Sequence, residues 1–304
     1  SDPSNPLDGQ VWFNSTDNVL RGNVGTPVVA WSTVNSLNQA RTSTSGAGIA
    51  TAALVVGGYS TTNIADTESW NGSNWTEVNN LNTARSSTGS MGTYTAALTF
   101  GGSGSPSYLS NTETWNGSNW TEVNDLNSAR RALPGAGTNT AGLAIGGFEP
   151  PGTNKVESWN GTNWTETTDL NTPRYASAGA GIQTAALLIG GAGGTPKTEL
   201  WNGSNWTEVN DLNQGREALM GSGVQTSAVA YGGTTPAGAA TESWNGTNWT
   251  EVNDLNNGRI RAASAGATNT SALASGGVPA PGSPSNVAFA EQFAGLTTKT
   301  FTDS

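Results

Sequence analysis

The chain contains no cysteine and no histidine. Without thiols there is no disulfide framework and no thiolate metal site, so stability has to come from packing. Without imidazoles the Ser-His-Asp triad, the Cys-His pair and ordinary zinc sites are excluded. Lysine is almost absent as well: Lys155, Lys197 and Lys299 are the only three. The formal net charge is −10, and most arginines occupy one repeated position. No basic patch is left to attract a phosphate backbone, and nucleic acid is not an expected partner. No apolar run approaches the roughly 18 residues that a membrane-spanning helix needs, so membrane insertion is not expected. Helical periodicity, a Walker A loop and a dinucleotide fingerprint are all missing. The chain opens at Ser1 with no leader visible, so it reads as a processed product or as part of something longer.

Hydrophobic content (34%) and charged content (11%) are low and glycine is abundant, at 41 residues. That composition approaches low complexity. The 12 tryptophans argue against disorder, because disordered chains are poor in aromatics. They also recur at a fixed interval. Trp31, Trp75, Trp120, Trp164, Trp206 and Trp249 each open a block reading roughly W-T-E-V-N-D-L-N-x-x-R, with a period of 42 to 45 residues. The blocks supply Arg41, Arg85, Arg130, Arg174, Arg216 and Arg259, then a small-residue run, a Gly-Gly pair and Glu-x-aromatic. A period of this size marks an array of one supersecondary unit.

Residues 85–124 read as four strands. Ser86 to Gly92 is small and strand-compatible, and Thr93-Tyr94 reads as a turn. Thr95 to Phe100 is apolar, Asn111 to Trp115 is a third strand, and Asn116-Gly117-Ser118-Asn119 turns into Trp120 to Asn124. Asn-Gly between strand-like runs is a strong hairpin signal, because both residues tolerate positive φ. Four short antiparallel strands per unit, six times over, describe the blades of an all-β propeller. Small residues suit the crowded inner strands, and tryptophan fills the outer half where blades diverge. Trp31 has no Glu-x-Trp strand before it, while Glu291-Gln292-Phe293 lacks its following tryptophan. The ring is therefore expected to close by pairing the strand around Trp31 with the C-terminal strands. The alternative completes the sixth blade with Thr298 to Phe301 and leaves Trp31 and the hairpin-like Val11 to Leu20 as a partial seventh. Residues 1–30 are expected to anchor or extend the propeller formed by 31–304.

The order Arg, small strand, Gly-Gly, Glu-x-aromatic, Trp resembles the kelch motif across residues 31–301. The period is shorter than the usual kelch one and nearer to that of WD40, but without histidine or a Trp-Asp dipeptide WD40 fits poorly. The stretch Gly9-Gln10-Val11-Trp12-Phe13-Asn14-Ser15-Thr16, then Leu37-Asn38-x-Ala40-Arg41 and Thr51-Ala52-Ala53-Leu54, is similar to tail and other virion structural proteins of bacteriophages, especially marine ones. So are the near-identical blades and the closing Thr298-Lys299-Thr300-Phe301. This second resemblance implies a virion-surface or extracellular location, with other virion proteins or a second copy as partners.

Carboxylates are the remaining route to catalysis. Glu68, Glu113, Glu157, Glu199, Glu242 and Glu291 share one repeat position, Glu77, Glu122, Glu166, Glu208 and Glu251 a second, and Asp125, Asp169, Asp211 and Asp254, with Asn80, a third. A residue repeated in every blade is more economically structural, and the repeat Glu and Arg are expected to pair or to cap backbone groups. Glu149 and Glu217 are the only non-repeat acids that a glycosidase could use, and a propeller oxidase of the copper type would need the missing histidine and cysteine. Asn-x-Ser/Thr, as in Asn71-Gly72-Ser73, fits glycosylation less well than hairpin-turn chemistry.

Length variation concentrates between the second and third strands, from Gly190–Glu199 at the shortest to Gly276–Glu291 at the longest. In a propeller those loops share a face with the blade-to-blade connections, and loops on a rigid scaffold are where function tends to sit. Tyr59, Tyr108, Phe148, Glu149 and Lys197, with Arg131, Tyr175, Glu217 and Arg261 near the connections, are the candidate ligand-binding residues. Aromatics with scattered polar groups suit sugars. The expectation is a non-enzymatic virion structural or adhesion protein that contacts host surface glycans and needs no cofactor or metal. A free secreted lectin or a propeller glycoside hydrolase is the alternative.

Overall fold

The computed structural model describes residues 11–14, 19–22, 30–234, 238–280 and 285–294. Among these every regular element is a strand. Six four-stranded antiparallel sheets are arranged as a propeller, each with its strands in simple neighbour order. In blade 2 the strands are Gly89–Thr93, Ala96–Phe100, Thr112–Trp115 and Trp120–Val123. The first turn falls at Tyr94-Thr95, one residue later than the sequence suggested, because Thr93 still pairs with Ala96. The inner strands Ser45–Ile49, Gly89–Thr93, Gly135–Gly137, Ala178–Ile182, Met220–Val224 and Ala263–Thr268 touch one another around a complete circle. Their Gly/Ala/Ser content is what lets six backbones approach one axis.

Closure uses the two chain ends. Ala30–Val34 pairs antiparallel with Ala290–Ala294, placing Trp31 opposite Phe293. Blade 6 thus takes its outermost strand from the N-terminal side, and the seven-bladed alternative is excluded. Its other element, Thr298 to Phe301, lies outside the described residues. Val11–Asn14 and Val19–Gly22 form a separate two-stranded sheet that joins no blade.

Each blade carries one buried clamp. The repeat Arg and Glu meet in all six: Arg41–Glu68, Arg85–Glu113, Arg130–Glu157, Arg174–Glu199, Arg216–Glu242 and Arg259–Glu291. All twelve side chains are buried. Burial is the dominant influence on Arg85, Arg174, Arg216 and Arg259 and draws their pKa below the ordinary guanidinium value, while the facing glutamates act in the opposite sense. The connection's asparagine completes the clamp. Asn38 donates both its backbone N–H and its Nδ2 to Glu68 at 2.8 Å, and Asn82 does the same to Glu113. The third acidic position caps strand starts, as when Thr112 N–H donates to Asp125 at 3.2 Å.

The Gly-Gly pair does more than turn the chain. Gly58 N–H donates to the carbonyl of Arg85 in the next blade at 2.9 Å, and the same bond recurs around the ring to Gly277 and Arg41. A Cβ on the preceding Gly57 (φ 55°) would lie 2.6 Å from that carbonyl oxygen, so the latch requires glycine.

Tryptophans seal the blade interfaces. Trp120 Nε1 donates to Thr67 Oγ1 of the preceding blade at 3.1 Å, and Trp164, Trp249 and Trp31 reach Thr112, Thr198 and Thr241 likewise. Two blades depart from this pattern. Blade 6 has Ala290 at the acceptor position, and Trp75 turns its N–H to the Asn35 carbonyl. Blade 3 has Val156 there, and the buried Trp206 Nε1 has no partner.

Candidate binding site at one mouth of the axial cavity

Directly after each clamp arginine the chain bends toward the axis through a left-handed residue. These are Ser43, Ser87, Ala132, Ala176, Ala218 and Arg261, all at φ 52–54°. Such a conformation is uncommon for non-glycine residues, and a second closed ring of hydrogen bonds fixes it here. Ser87 N–H donates to Ser43 carbonyl, Ala132 to Ser87, and so on until Ser43 donates to Arg261, at 2.7 to 3.0 Å. The ring of six peptides encircles the start of the inner strands. Those strands enclose an axial cavity of about 510 Å³, within the range of small-ligand sites.

Just outside this ring sit the residues in which the blades differ most. Thr42, Ser86, Arg131, Tyr175, Glu217 and Ile260 pair with Tyr59, Ser103, Phe148, Ala192, Thr234 and Val278 respectively. The backbone geometry is held constant while the side chains change from blade to blade. At the opposite end the turns are nearly uniform: Asn71-Gly72-Ser73-Asn74 recurs with only Ser/Thr exchange in blades 2 to 5. There Asn71 Oδ1 accepts the N–H groups of Ser73 and Asn74 at 2.9 and 2.8 Å.

The structure gathers some of the sequence-predicted residues and separates others. Phe148 packs edge-on against Tyr175 with ring centroids 4.8 Å apart and against Tyr108 at 6.0 Å. The Arg131 guanidinium lies 5.3 Å from the Tyr108 centroid and 5.1 Å from that of Phe148. Arg131, Tyr175, Glu217 and Arg261 all line the mouth of the cavity. One Glu217 carboxylate oxygen accepts Gly193 N–H at 2.9 Å.

Three predicted residues stand apart. Tyr59 is exposed, and its carbonyl accepts from Asn286 Nδ2 at 2.9 Å. Glu149 is paired with Lys155 at 3.3 Å and does not line the cavity. Lys197 is bound to Glu208 at 2.7 Å, a hydrogen bond that raises its pKa, and it too is outside the cavity lining. The acid pair Glu149 and Glu217 therefore shares no cavity. Thr44 and Ser177, one layer in from the ring, are residues of the cavity wall, and their hydroxyls are covered by protein without a hydrogen-bond partner. Sequence reasoning passed over them because they look like filler among small residues. No group of three or more acidic, His or Cys residues able to hold a metal occurs among the described residues.

Neither a protein-family model nor a curated protein matches this chain. The kelch-like and phage-type resemblances rest on the motif residues alone.

Proposed function

We propose that the protein is a non-enzymatic binding module on a propeller scaffold, a virion-associated structural and adhesion protein that contacts surface glycans through the variable rim. The observation that carries the binding part is the distribution of differences between blades. Clamp, latch and turn are repeated, while the twelve rim positions carry an aromatic and arginine cluster beside an open cavity. Repetition serves stability, and local departure from it on a rigid frame is where a ligand would be read. Tyr175 and Phe148 offer amphipathic ring surface of the kind that sugars use. The glycoside hydrolase alternative is weakened because Glu149 is engaged by Lys155, away from Glu217. The virion placement rests on the sequence blocks named above, and its partners would be other virion proteins or a second copy.

A glycan array probed with the wild-type protein and with Phe148→Ala tests the binding part. Selective binding that the variant loses supports it, and an array without any hit contradicts it. Labelling purified particles with antibody to the protein tests the virion part, and absence from particles would refute it.

A further inference from the structure

The eight arginines of the blades and their connections fall into two groups. Six are spent on buried glutamates. Arg131 and Arg261 have no carboxylate within ion-pair reach among the described residues, and both line the same mouth of the axial cavity. In a chain of net charge −10 these are guanidinium groups left free for an anion. Arg131 has fixed neighbours as well, because its guanidinium lies over the rings of Tyr108 and Phe148. Stacking on Tyr108 and Phe148 holds this guanidinium in place before any ligand arrives, which lowers the entropy lost on binding.

The rest of the mouth narrows the kind of anion. Glu217 stands on the same rim with one oxygen already occupied by Gly193 N–H. A carboxylate there disfavours a phosphate or a polyanion but accepts a hydroxyl. The site thus offers cations for one negative group and a carboxylate acceptor for a hydroxyl. We propose that this mouth binds a carboxylate-bearing sugar, with Arg131 and Arg261 supplying the positive charge for the carboxylate and Glu217 accepting a hydroxyl. This rests on the glycan-binding reading and names its ligand class.

Titration calorimetry with digalacturonate and with its methyl ester, which keeps the sugar and removes the charge, tests the assignment. The acid should bind at least about tenfold more tightly than the ester, because charge-assisted hydrogen bonds to a guanidinium are lost in the ester. Binding of the acid should weaken as salt is raised. Arg131→Gln and Arg261→Gln should each weaken the acid about tenfold while leaving the ester unchanged. Arg261 is exposed and outside every clamp, so its variant keeps the test valid if Arg131→Gln folds poorly. Equal affinity for acid and ester, with both variants unaffected, would overturn the carboxylate assignment and leave glycan binding standing. A protein that ignores both sugars but takes a glutamate-rich peptide through these arginines would overturn the sugar class and the glycan reading together. Binding of neither sugar nor peptide would overturn both as well.

Discussion

The two ends of the propeller are built from the same blades and differ in what they leave free. At the turn end, asparagine side chains cap hairpins and tie neighbours: Asn124 Nδ2 reaches Thr162 carbonyl at 3.0 Å and Asn163 Oδ1 at 2.7 Å in the next blade. Its residues repeat because they do the same structural work in each blade. At the connection end the backbone repeats even more strictly, with two closed hydrogen-bond rings, yet the side chains beyond the rings do not. A fixed main chain with changing side chains separates the groups that hold the fold from those free to meet a ligand.

The largest effect that would sharpen this contrast lies in the clamp. Arg174→Ala leaves Glu199 buried and uncompensated and should cost about 3–5 kcal/mol. Thermal unfolding should show a large drop in Tm, with glycan binding by the remaining folded fraction unchanged. An unaltered melting curve would mean that the clamp does not carry the fold.

Next is the interior shared by both ends. Tyr231 is fully buried, packs 4.7 Å from Trp31 and donates its hydroxyl to Leu273 carbonyl at 3.1 Å. Burial pushes its pKa well above the ordinary phenol value. In the unfolded chain the phenol ionises near pH ~10, whereas in the fold it stays neutral. Its contribution is therefore complete below that pH and is lost as pH rises beyond it, by about 1.4 kcal/mol per unit. Denaturant midpoints measured from pH 9 to 11.5 should fall more steeply for wild type than for Tyr231→Phe.

Smaller changes repair blades that depart from the repeat. Val156→Thr should give the orphaned Trp206 Nε1 its acceptor and raise stability by about 1 kcal/mol. Thr168 occupies the position of the blade-tying asparagine in its unit. Thr168→Asn should restore the tie toward Ser204 and Asn205 and add about 0.5 kcal/mol. Chemical denaturation resolves both, and a loss of stability in either would show that the repeat is not the optimum it is taken to be.

Much of the fold was readable in the sequence because periodicity is a global signal. The period, the Asn-Gly turns and the half-blade at each end pointed to six blades closed by Trp31. The paired Arg and Glu stood out because each recurs at one fixed place. The meaning of Gly-Gly was not legible: its φ and its latch to the next blade's arginine depend on a neighbour in the following blade, as with Gly58 and Arg85. The site was partly legible. Arg131, Tyr175, Glu217 and Arg261 drew notice as departures from the repeat, and they line one cavity. Tyr59, Glu149 and Lys197 drew the same notice, but lateral pairing and loop course take them elsewhere. Thr44 and Ser177 gave no signal, because an unpaired hydroxyl is a property of surroundings rather than of residue type.

The separation of frame from rim is tested most directly by levelling the rim. Blade 2 carries Ser86, Ser87 and Ser103 where other blades carry Arg131, Tyr175, Glu217, Arg261 and Phe148. A variant with serine at all five positions keeps every clamp, latch and hydrogen-bond ring. Measured side by side with wild type for thermal unfolding and for binding on a glycan array, it should melt within a few degrees of wild type, about 1–2 kcal/mol less stable, and bind nothing. Retained glycan binding, or collapse of the fold, would contradict the account.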